Sequence, residues 1–592
     1  MSSAQPPILG IGGILGHDGN AALMVDGQVI AASQEERYTR RKHDAAFPAQ
    51  AVLDCLSAGG LKQENIGTCI FAEKPLQTLL FDRVGRPTNS LSWLFGRLVA
   101  PSKFEYPRLA RGMLPNANFG YAWHHLSHAA AAFATSPFDR AAFLCVDGKG
   151  EDVSATIGIV DEQSVNVLYE LPYENGLGLL YTLVTYYLGF ESHGSEYKVM
   201  GLAPYGSSTF VDKLRDFTIS DQNGALRLKR KATFSWPIMQ ENIVALGEHL
   251  HLPRRHQGDA LTDEHVNVAA SLQMLFEQEV LRMAEFTHRM TGERYLLFCG
   301  GCAQNCVTAG RLSRAGIFDR VFNSPVGGDM GSALGAALLG HHRATGILPK
   351  VDTKGFYLGC EPGPPPAEAL KFQLPFSGSV HEAAARLLAE GKVVGWVRGR
   401  MELGARALGA RSILADPRVE NMQSVLNLKV KFRESFRPFA PAVLAEDCAN
   451  WFDTSEPSDF MQYTAYLLPK HRLPLPRELK SLRERLDFRR CNVSSIIHVD
   501  YSARLQTVRP EVHPDFHRLI TEFKKITGVP IVINTSFNVS GQPIVRTAEE
   551  AWLCFRHTDM DYLVVNDVIC RNPNDRTREE KLAWLKQFEK YS

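Results

Sequence analysis

"RAAFLCVDGKG" runs from Arg140 to Gly150. Its unbroken apolar stretch, Ala141 to Val146, predicts a strand buried on both faces. Asp147 and Gly148 end that strand in a turn that presents a carboxylate beside backbone N–H groups. "VSATIGIV" (Val153–Val160) follows at hairpin distance and predicts an antiparallel partner. The same pattern recurs on either side. "PILGIGGI" (Pro7–Ile14) is an apolar strand with glycines, and "AALMVDGQVIAA" (Ala21–Ala32) folds two apolar runs about Asp26-Gly27, a hairpin signal. "RYLLFCGG" (Arg294–Gly301) predicts a strand running into a Gly-Gly turn. "DRVFNSPVGGDMGSALGAALLGHH" (Asp319–His342) predicts another, ending in Gly327-Gly328-Asp329 before an alanine-rich helix.

Any one of these glycines can simply close a tight turn. Several, each after a strand and alternating with hairpins, are a means of presenting carboxylates and N–H groups to phosphates. Together they predict an α/β fold of the actin, sugar-kinase and Hsp70 type, in which two related halves clasp a nucleotide. No internal repeat or low-complexity tract is visible in the sequence itself.

"WHHLSHAAAAF" (Trp123–Phe133) enters a helix on the strength of its alanines. His124 and His128 share one helical face, and His125 points elsewhere. Two imidazoles on one face either chelate a metal or pack as a helix end, and this stretch alone leaves both readings open. Cys299, Cys302 and Cys306 have C-x2-C-x3-C spacing, but they sit in "YLLFCGGCAQNCV" with no fourth ligand evident nearby. Cysteine packing as a small apolar residue beside glycine is the stronger reading.

At 592 residues the chain exceeds one hydrophobic core, so two or more domains are expected. The formal net charge of +1 gives no overall field for nucleic acid or an anionic membrane. Basic clusters are local, at Arg37–His43 ("RYTRRKH") and Arg227–Lys231 ("RLKRK"), the second expected on a solvated face. No stretch approaches the ~20 apolar residues of a membrane span. "MSSAQPPILG" does not have the pattern of a secretory signal, and the 11 cysteines are expected as reduced thiols in the cytoplasm.

"YLGCEPGPPPAEALKF" (Tyr357–Phe372) marks a break, because Pro364, Pro365 and Pro366 continue neither helix nor central strand. The expected division is a first domain over residues 1–356, a linker over 357–375 and a second α/β domain over 376–592. The second is richer in arginine, in "VRGRMELGARALGARSILADPR" (Val397–Arg418) and "LKVKFRESFRPFAPAV" (Leu428–Val443). Phe432, Phe436, Pro438, Phe439 and Pro441 interleave with the basic residues, which makes a merely solvated face a poor account. Arginines in such a setting suit polyphosphate or carboxyl-phosphate recognition. "VPIVINTSFNVSGQPIV" (Val529–Val545) is a β-branched strand followed by Thr, Ser and Asn donors and a Gly turn. It suits a phosphate or adenine contact, or an ordinary capped turn.

Nine stretches in order carry a resemblance: "GHDGNAALMVDGQVIAASQEERYTRRKHDAAFP", "HHLSHAAAAF", "VDGKGE", "EYKVMGLAPYG", "GGCAQN", "PVGGDMGSALGAAL", "GRMELGARALGARSILADPR", "KFRESFRPFAPAV" and "NTSFNVSGQPIV". Together they span nearly the whole chain, which resembles the ATP-dependent O-carbamoyltransferases of antibiotic, toxin and nodulation-factor biosynthesis. The resemblance implies an N-terminal domain like the tRNA threonylcarbamoyl-transferring protein, and a C-terminal α/β domain like the synthase of threonylcarbamoyl-adenylate. It implies that carbamoyl phosphate and Mg-ATP give carbamoyl-adenylate and pyrophosphate in the second domain. A hydroxyl of a small natural-product acceptor then takes the carbamoyl group in the first, and AMP leaves.

By the same resemblance His124, His128, Asp147 and Asp329 hold a divalent metal, Fe2+ first, with Mn2+ and Zn2+ also suited to two histidines and two carboxylates. His17 belongs to the transfer site, either as base toward the attacking hydroxyl or as the group polarising the carbamoyl carbonyl. Lys42 neutralises phosphate charge, and Gly300, Gly301 and Asn305 hold the AMP portion. In the second domain Arg406, Lys431 and Arg437 are implied as phosphate ligands, with Asn534, Ser536 and Asn538 as further ATP or carbamoyl-phosphate contacts. Members of the family commonly read "GPRALG" and "GNRS" where this chain has Ala405 and Ala410, which changes no charge.

The competing reading is a nucleotide-binding or kinase-like ATPase of the same fold without acyl transfer; the arginine-rich second domain speaks against it. Transfer to tRNA is disfavoured by the near-neutral charge. No membrane partner is expected, and a homodimer is admissible. The acceptor's identity is not encoded in any motif; the loops expected to meet it lie within residues 71–118 and 206–262.

Overall fold

The computed structural model describes residues 5–13, 17–74, 105–190, 194–220, 226–230, 234, 236–352, 356–454, 456–474 and 482–591. Much of the expected acceptor loop within residues 71–118 therefore lies outside the described residues.

Five strands, β1 (Ile8–Gly12), β2 (Asn20–Val25), β3 (Gln28–Gln34), β4 (Thr68–Phe71) and β5 (Asn118–Tyr121), form one sheet in the order β3-β2-β1-β4-β5. The β2–β3 turn is the expected one: Asp26 and Gly27 both have positive φ, 48° and 77°, as a two-residue hairpin requires. The second sheet uses β6 (Arg140–Val146), β7 (Val153–Asp161) and β8 (Val165–Pro172). After a small hairpin, β9 (Thr218–Ser220) and β10 (Leu226–Leu228), it adds β11 (Tyr295–Cys299) and β12 (Arg320–Asn323), in the order β12-β11-β6-β7-β8.

The two sheets are one topology used twice. In each, three antiparallel strands form a meander, and two later strands add in parallel beside the first. This is the duplicated arrangement expected of the actin and sugar-kinase type. The repeat that the sequence hides lies in strand pairing, which many apolar sequences satisfy equally well.

Two helices fill the space between these sheets. His124–Thr135 buries Ala129 to Ala132 completely. It lies against Ser332–Thr345, where a side chain at Gly335 would overlap the Ser127 carbonyl oxygen. Only glycine permits that approach, so the two helices set each other's position.

β12 ends at Asn323, so Asp329 is not at a strand end as expected. Pro325 offers no N–H to the ladder, and residues 324–328 turn back before a short 3-10 turn begins at Asp329.

The C-terminal part holds an eight-stranded mixed sheet. Its strands are β13 (Val394–Val397), β14 (Arg411–Ala415), β15 (Ala440–Leu444), β16 (Tyr463–Tyr466), β17 (Ser502–Val508), β18 (Ile531–Ser536), β19 (Tyr562–Val565) and β20 (Val568–Arg571). Their order is β16-β17-β15-β18-β14-β13-β19-β20. Helices Val380–Ala389 and Pro514–Thr527 cover one face; Ala548–Arg556 packs into the core on the other. Edge strand β16 is covered by the N-terminal part, since the Tyr463 hydroxyl donates to Val321 O (2.9 Å) and accepts from Asn323 N–H (2.8 Å). The segment expected as a linker is docked: it contains the helix Ala367–Leu370, and Gly359 N–H donates to Met401 O (3.0 Å).

Candidate active site and metal centre

Each of the four candidate ligands is delivered by a rigid element. His124 and His128 stand one turn apart at the start of their helix, Asp147 follows β6, and Asp329 precedes the helix Ser332–Thr345. His124 Nε2 lies 3.0 Å from His128 Nε2, 3.5 Å from Asp147 Oδ2 and 3.4 Å from Asp329 Oδ1. His128 Nε2 lies 3.1 Å and 3.6 Å from the same two carboxylate oxygens. A tetrahedron with edges of ~3.3 Å has its centre ~2.0 Å from each corner, the bond length of a divalent transition metal to nitrogen or oxygen.

The surroundings fit a metal as well. His124 Nδ1 is 3.3 Å from Ala72 O, so its N–H donates there and leaves the Nε2 lone pair facing the centre. Asp147 Oδ2 is buried and accepts no hydrogen bond, an arrangement that calls for a cation. Against burial, Asp329 and Asp147 hold His124 well above its ordinary value. Both carboxyls are correspondingly held down, against burial and, for Asp147, against Asp329. His125 does point elsewhere, to Thr156 Oγ1 at 2.8 Å, and burial pushes it down to about 3, leaving it neutral.

Two residues to which the sequence reading gave no role complete the frame. Glu151 accepts the His124 N–H at 3.0 Å and so caps a helix that has no side-chain cap of its own. Asn20 donates to the carbonyls of Asp18 (2.6 Å) and Asp329 (3.0 Å) and accepts Ala333 N–H (2.9 Å), fastening the first sheet to the Asp329 turn.

His17 lies between β1 and β2, with Nδ1 3.1 Å from Asp18 Oδ2 and Nε2 3.3 Å from Asp329 Oδ2. Asp18 Oδ1 lies 2.9 Å from His43 Nδ1. This chain of groups joins the two-histidine, two-aspartate cluster to a cavity of about 250 Å³, whose wall includes Asp18, His43 and Met330.

The cavity is walled by both parts of the chain. Lys42 and Tyr197 come from the first; Arg406, Lys431, Arg433, Arg437, Arg504, Asn534, Ser536 and Asn538 come from the second. The Arg437 guanidinium lies over the Tyr197 ring, 4.7 Å from its centroid, and the Lys42 ammonium lies 5.6 Å from the same centroid. Against burial, Arg437, Lys42 and Lys198 pull the Tyr197 phenol down to about 8. Burial and mutual repulsion lower the cations: Arg433 is held well below its ordinary range by burial and Arg437, and Arg406 is pushed down to about 9 by burial and Arg504. Such crowding is relieved by an anion of several charges.

Three expected contacts have other partners in this structure. The Lys431 ammonium donates into the Ser536–Asn538 turn, to Ser536 O (2.6 Å), Asn538 O (2.8 Å) and Asn538 Oδ1 (2.6 Å), so it builds the turn that faces the cavity. Asn305 caps the helix Cys306–Arg314 through Thr308 N–H (3.1 Å) and donates to Gln273 Oε1 (2.9 Å). Asn534 donates to Ala407 O (3.1 Å) and Gln506 Oε1 (2.7 Å), with its own Oδ1 buried and unpaired. Gly300 has φ 88° and Gly301 abuts Asp147, where a side chain would meet Oδ1 at 2.7 Å. The three cysteines of the C-x2-C-x3-C stretch form no metal-ligating group among the described residues.

A family model described as "Carbamoyltransferase N-terminus" matches residues 7–338, and one described as "Carbamoyltransferase C-terminus" matches residues 385–572. "Uncharacterized protein sll1178" of Synechocystis sp. is 38% identical over 98% of this chain and 99% of its own length. "Nodulation protein NolNO" of Sinorhizobium fredii is 34% identical over 95% of this chain and 80% of its own. "3'-hydroxymethylcephem-O-carbamoyltransferase" of Streptomyces clavuligerus is 27% identical over 93% of this chain and 97% of its own. Both halves of one family's pattern thus occur in order, and the chain belongs to the carbamoyltransferase family.

Proposed function

We propose that the protein is an ATP-dependent O-carbamoyltransferase that draws on carbamoyl phosphate and serves a small hydroxylated natural product. The observation that carries this reading is the cavity: five buried or half-buried cations of the C-terminal part face one space that adjoins His17 and the two-histidine, two-aspartate centre.

In the first step water releases carbamate and orthophosphate from carbamoyl phosphate. A carbamate oxygen bonds to the α-phosphorus of ATP, and the bond to pyrophosphate breaks. Arg406, Arg433, Arg437 and Arg504 bind the phosphate oxygens, while Lys431 holds the Ser536–Asn538 turn against them. The carbamoyl-adenylate reaches the transfer site past Lys42 and His43. There the acceptor oxygen bonds to the carbamoyl carbon, the bond from that carbon to the AMP oxygen breaks, and AMP leaves. His17 takes the hydroxyl proton on Nε2, with Asp18 orienting the ring through Nδ1. A divalent cation held by His124, His128, Asp147 and Asp329 supplies Lewis-acid stabilisation of the phosphate charge.

Product analysis with ATP, carbamoyl phosphate and a divalent metal tests this. AMP, pyrophosphate and orthophosphate are expected. ADP in place of AMP and pyrophosphate overturns the reading in favour of a kinase-like ATPase. Arg437→Ala should slow the pyrophosphate burst by roughly 10- to 150-fold, since a charge-assisted phosphate contact in a closed site is worth about 1.5–3 kcal/mol. His17→Ala should keep that burst and lose carbamoylation of the acceptor.

A further inference from the structure

Tyr197 stands on the cavity wall, and no step above uses its hydroxyl. It comes from the helix Glu196–Leu202 and is half-buried. The Arg437 guanidinium lies 4.7 Å from its ring centroid and the Lys42 ammonium 5.6 Å, so cations from both parts of the chain set its place. The hydroxyl makes no hydrogen bond among the described residues. Enclosed tyrosine hydroxyls usually find a partner, so an unspent one on a cavity wall is available to a ligand. The charged groups set about it are Arg437, Lys42, Lys198 and Glu434, with Arg433 and Arg406 on the same wall. Five of the six are cations. The one carboxylate, Glu434, is itself tied to Arg437 (3.2 Å) and Lys198 (3.6 Å). This field favours a phenolate and, against burial, holds the phenol at about 8, where it can exchange a proton near neutral pH. Other bases on the wall are committed. Glu36 pairs with Arg37 (2.9 Å) and accepts His43 N–H (2.9 Å), and Asp18 is shared by His17 and His43. His498 donates from Nε2 to Gly201 O (3.0 Å) and accepts Val499 N–H on Nδ1 (2.9 Å).

We propose that Tyr197 is a catalytic residue of the first step, the general base toward the water that cleaves carbamoyl phosphate. The proposal rests on the carbamoyl-phosphate reading above and supplies the base which that step needs. The Tyr197 phenolate takes one proton of the water. The water oxygen bonds to the carbamoyl carbon, the bond from that carbon to the phosphate oxygen breaks, and the electron pair leaves with orthophosphate. The phenol then returns its proton to the orthophosphate, which leaves carbamate free to meet ATP. The cations that favour the phenolate are the ones placed to bind the departing phosphate, so one group of charges serves both ends of the step.

Tyr197→Phe tests this, because it keeps the ring beside Arg437 and removes only the oxygen. Orthophosphate release from carbamoyl phosphate by the full chain, with ATP present, should fall about 100-fold. Ammonium carbamate supplies the product of that step directly. Pyrophosphate release from ATP and ammonium carbamate should therefore stay within about three-fold of the parent, since no base is needed there. In the parent, kcat/KM for carbamoyl phosphate should climb with pH through an inflection at about 8, and the variant should lack it. A fall of less than about ten-fold, or a parent profile flat across about pH 6.5–9.5, overturns the proposal. Equal loss of the carbamate-driven and carbamoyl-phosphate-driven reactions also overturns it, leaving Tyr197 as a support for Arg437. The two readings fail separately. Orthophosphate without pyrophosphate from either donor removes adenylation and leaves Tyr197 as the base of carbamoyl-phosphate cleavage. Pyrophosphate driven by carbamate, with carbamoyl phosphate inert, keeps adenylation and removes the base role.

Discussion

Replacing Arg411 with methionine tests whether the arginine motifs of the C-terminal part are all ligand-binding or in part structural. Arg411 lies in β14 and is fully buried. Its Nε donates to Arg546 O at 2.8 Å, Nη1 to Gly399 O at 2.9 Å and Ala410 O at 3.0 Å, and Nη2 to Cys360 O at 3.0 Å. Its charge is set against Glu402, whose Oε1 accepts the N–H groups of Leu408 at 2.7 Å and Arg411 at 3.2 Å. Methionine keeps much of the volume and donates nothing, so these carbonyls lose their donor and a buried carboxylate loses its counter-charge. Removing one partner of a buried pair costs about 3–5 kcal/mol, a figure that already includes the attached hydrogen bonds. For a unit of this size, 1 kcal/mol moves the midpoint by about 2–4 °C. The C-terminal transition in a calorimetric scan should therefore fall by roughly 6–20 °C. Arg411→Lys, which keeps the charge but not the fork, should lie between the two. A methionine variant that unfolds with the parent would refute the anchoring role.

Two further outcomes are expected. His128→Ala should lose bound metal and Asp329→Asn should hold it more weakly, with folding retained by circular dichroism; elemental analysis showing full occupancy in both would remove the metal assignment. His513 is pushed by burial down to about 4 from an ordinary value near 6.5, so the unfolded chain takes up a proton that the folded one refuses. Its contribution is complete above pH 6.5 and is lost as pH falls toward 4, on the order of 1–3 kcal/mol. His513→Asn, which can still cap the helix Pro514–Thr527, should flatten the fall in urea midpoint between pH 7 and 4.5, and an unchanged slope would exclude His513 as its source.

Asp147 could be read from sequence because a long apolar strand before Asp-Gly leaves the carboxylate one place to go. The His124 and His128 pair was legible as a shared face but not as a site, since the donors that complete it come from other elements, Asp147 from the end of the next strand and Asp329 from far along the chain. Asp329 was misplaced by a few residues because Pro325 ends the strand early. Glu151 and Asn20 act through backbone groups of distant segments, and no local pattern announces a helix cap supplied from 27 residues away. Arg504 lies in the largely buried strand β17, where an arginine calls for a buried anion or carboxylate, but Gln506 and Thr507 make the strand read as polar, so its burial was not legible. Arg433 stood inside a quoted motif, yet only its place on the cavity wall separates it from its basic neighbours.

The cavity wall alternates between residues from the two ends of the sequence, and this bears on how such a chain can change over generations. The guanidinium of Arg437 rests on the ring of Tyr197, across 240 positions of sequence, and Arg40 reaches the Pro543 and Ile544 carbonyls. A substitution on one wall alters the contact surface of the other in the same step. A chimaera that joins the first part of one relative to the second part of another would therefore bring together two cavity walls that had not changed in step.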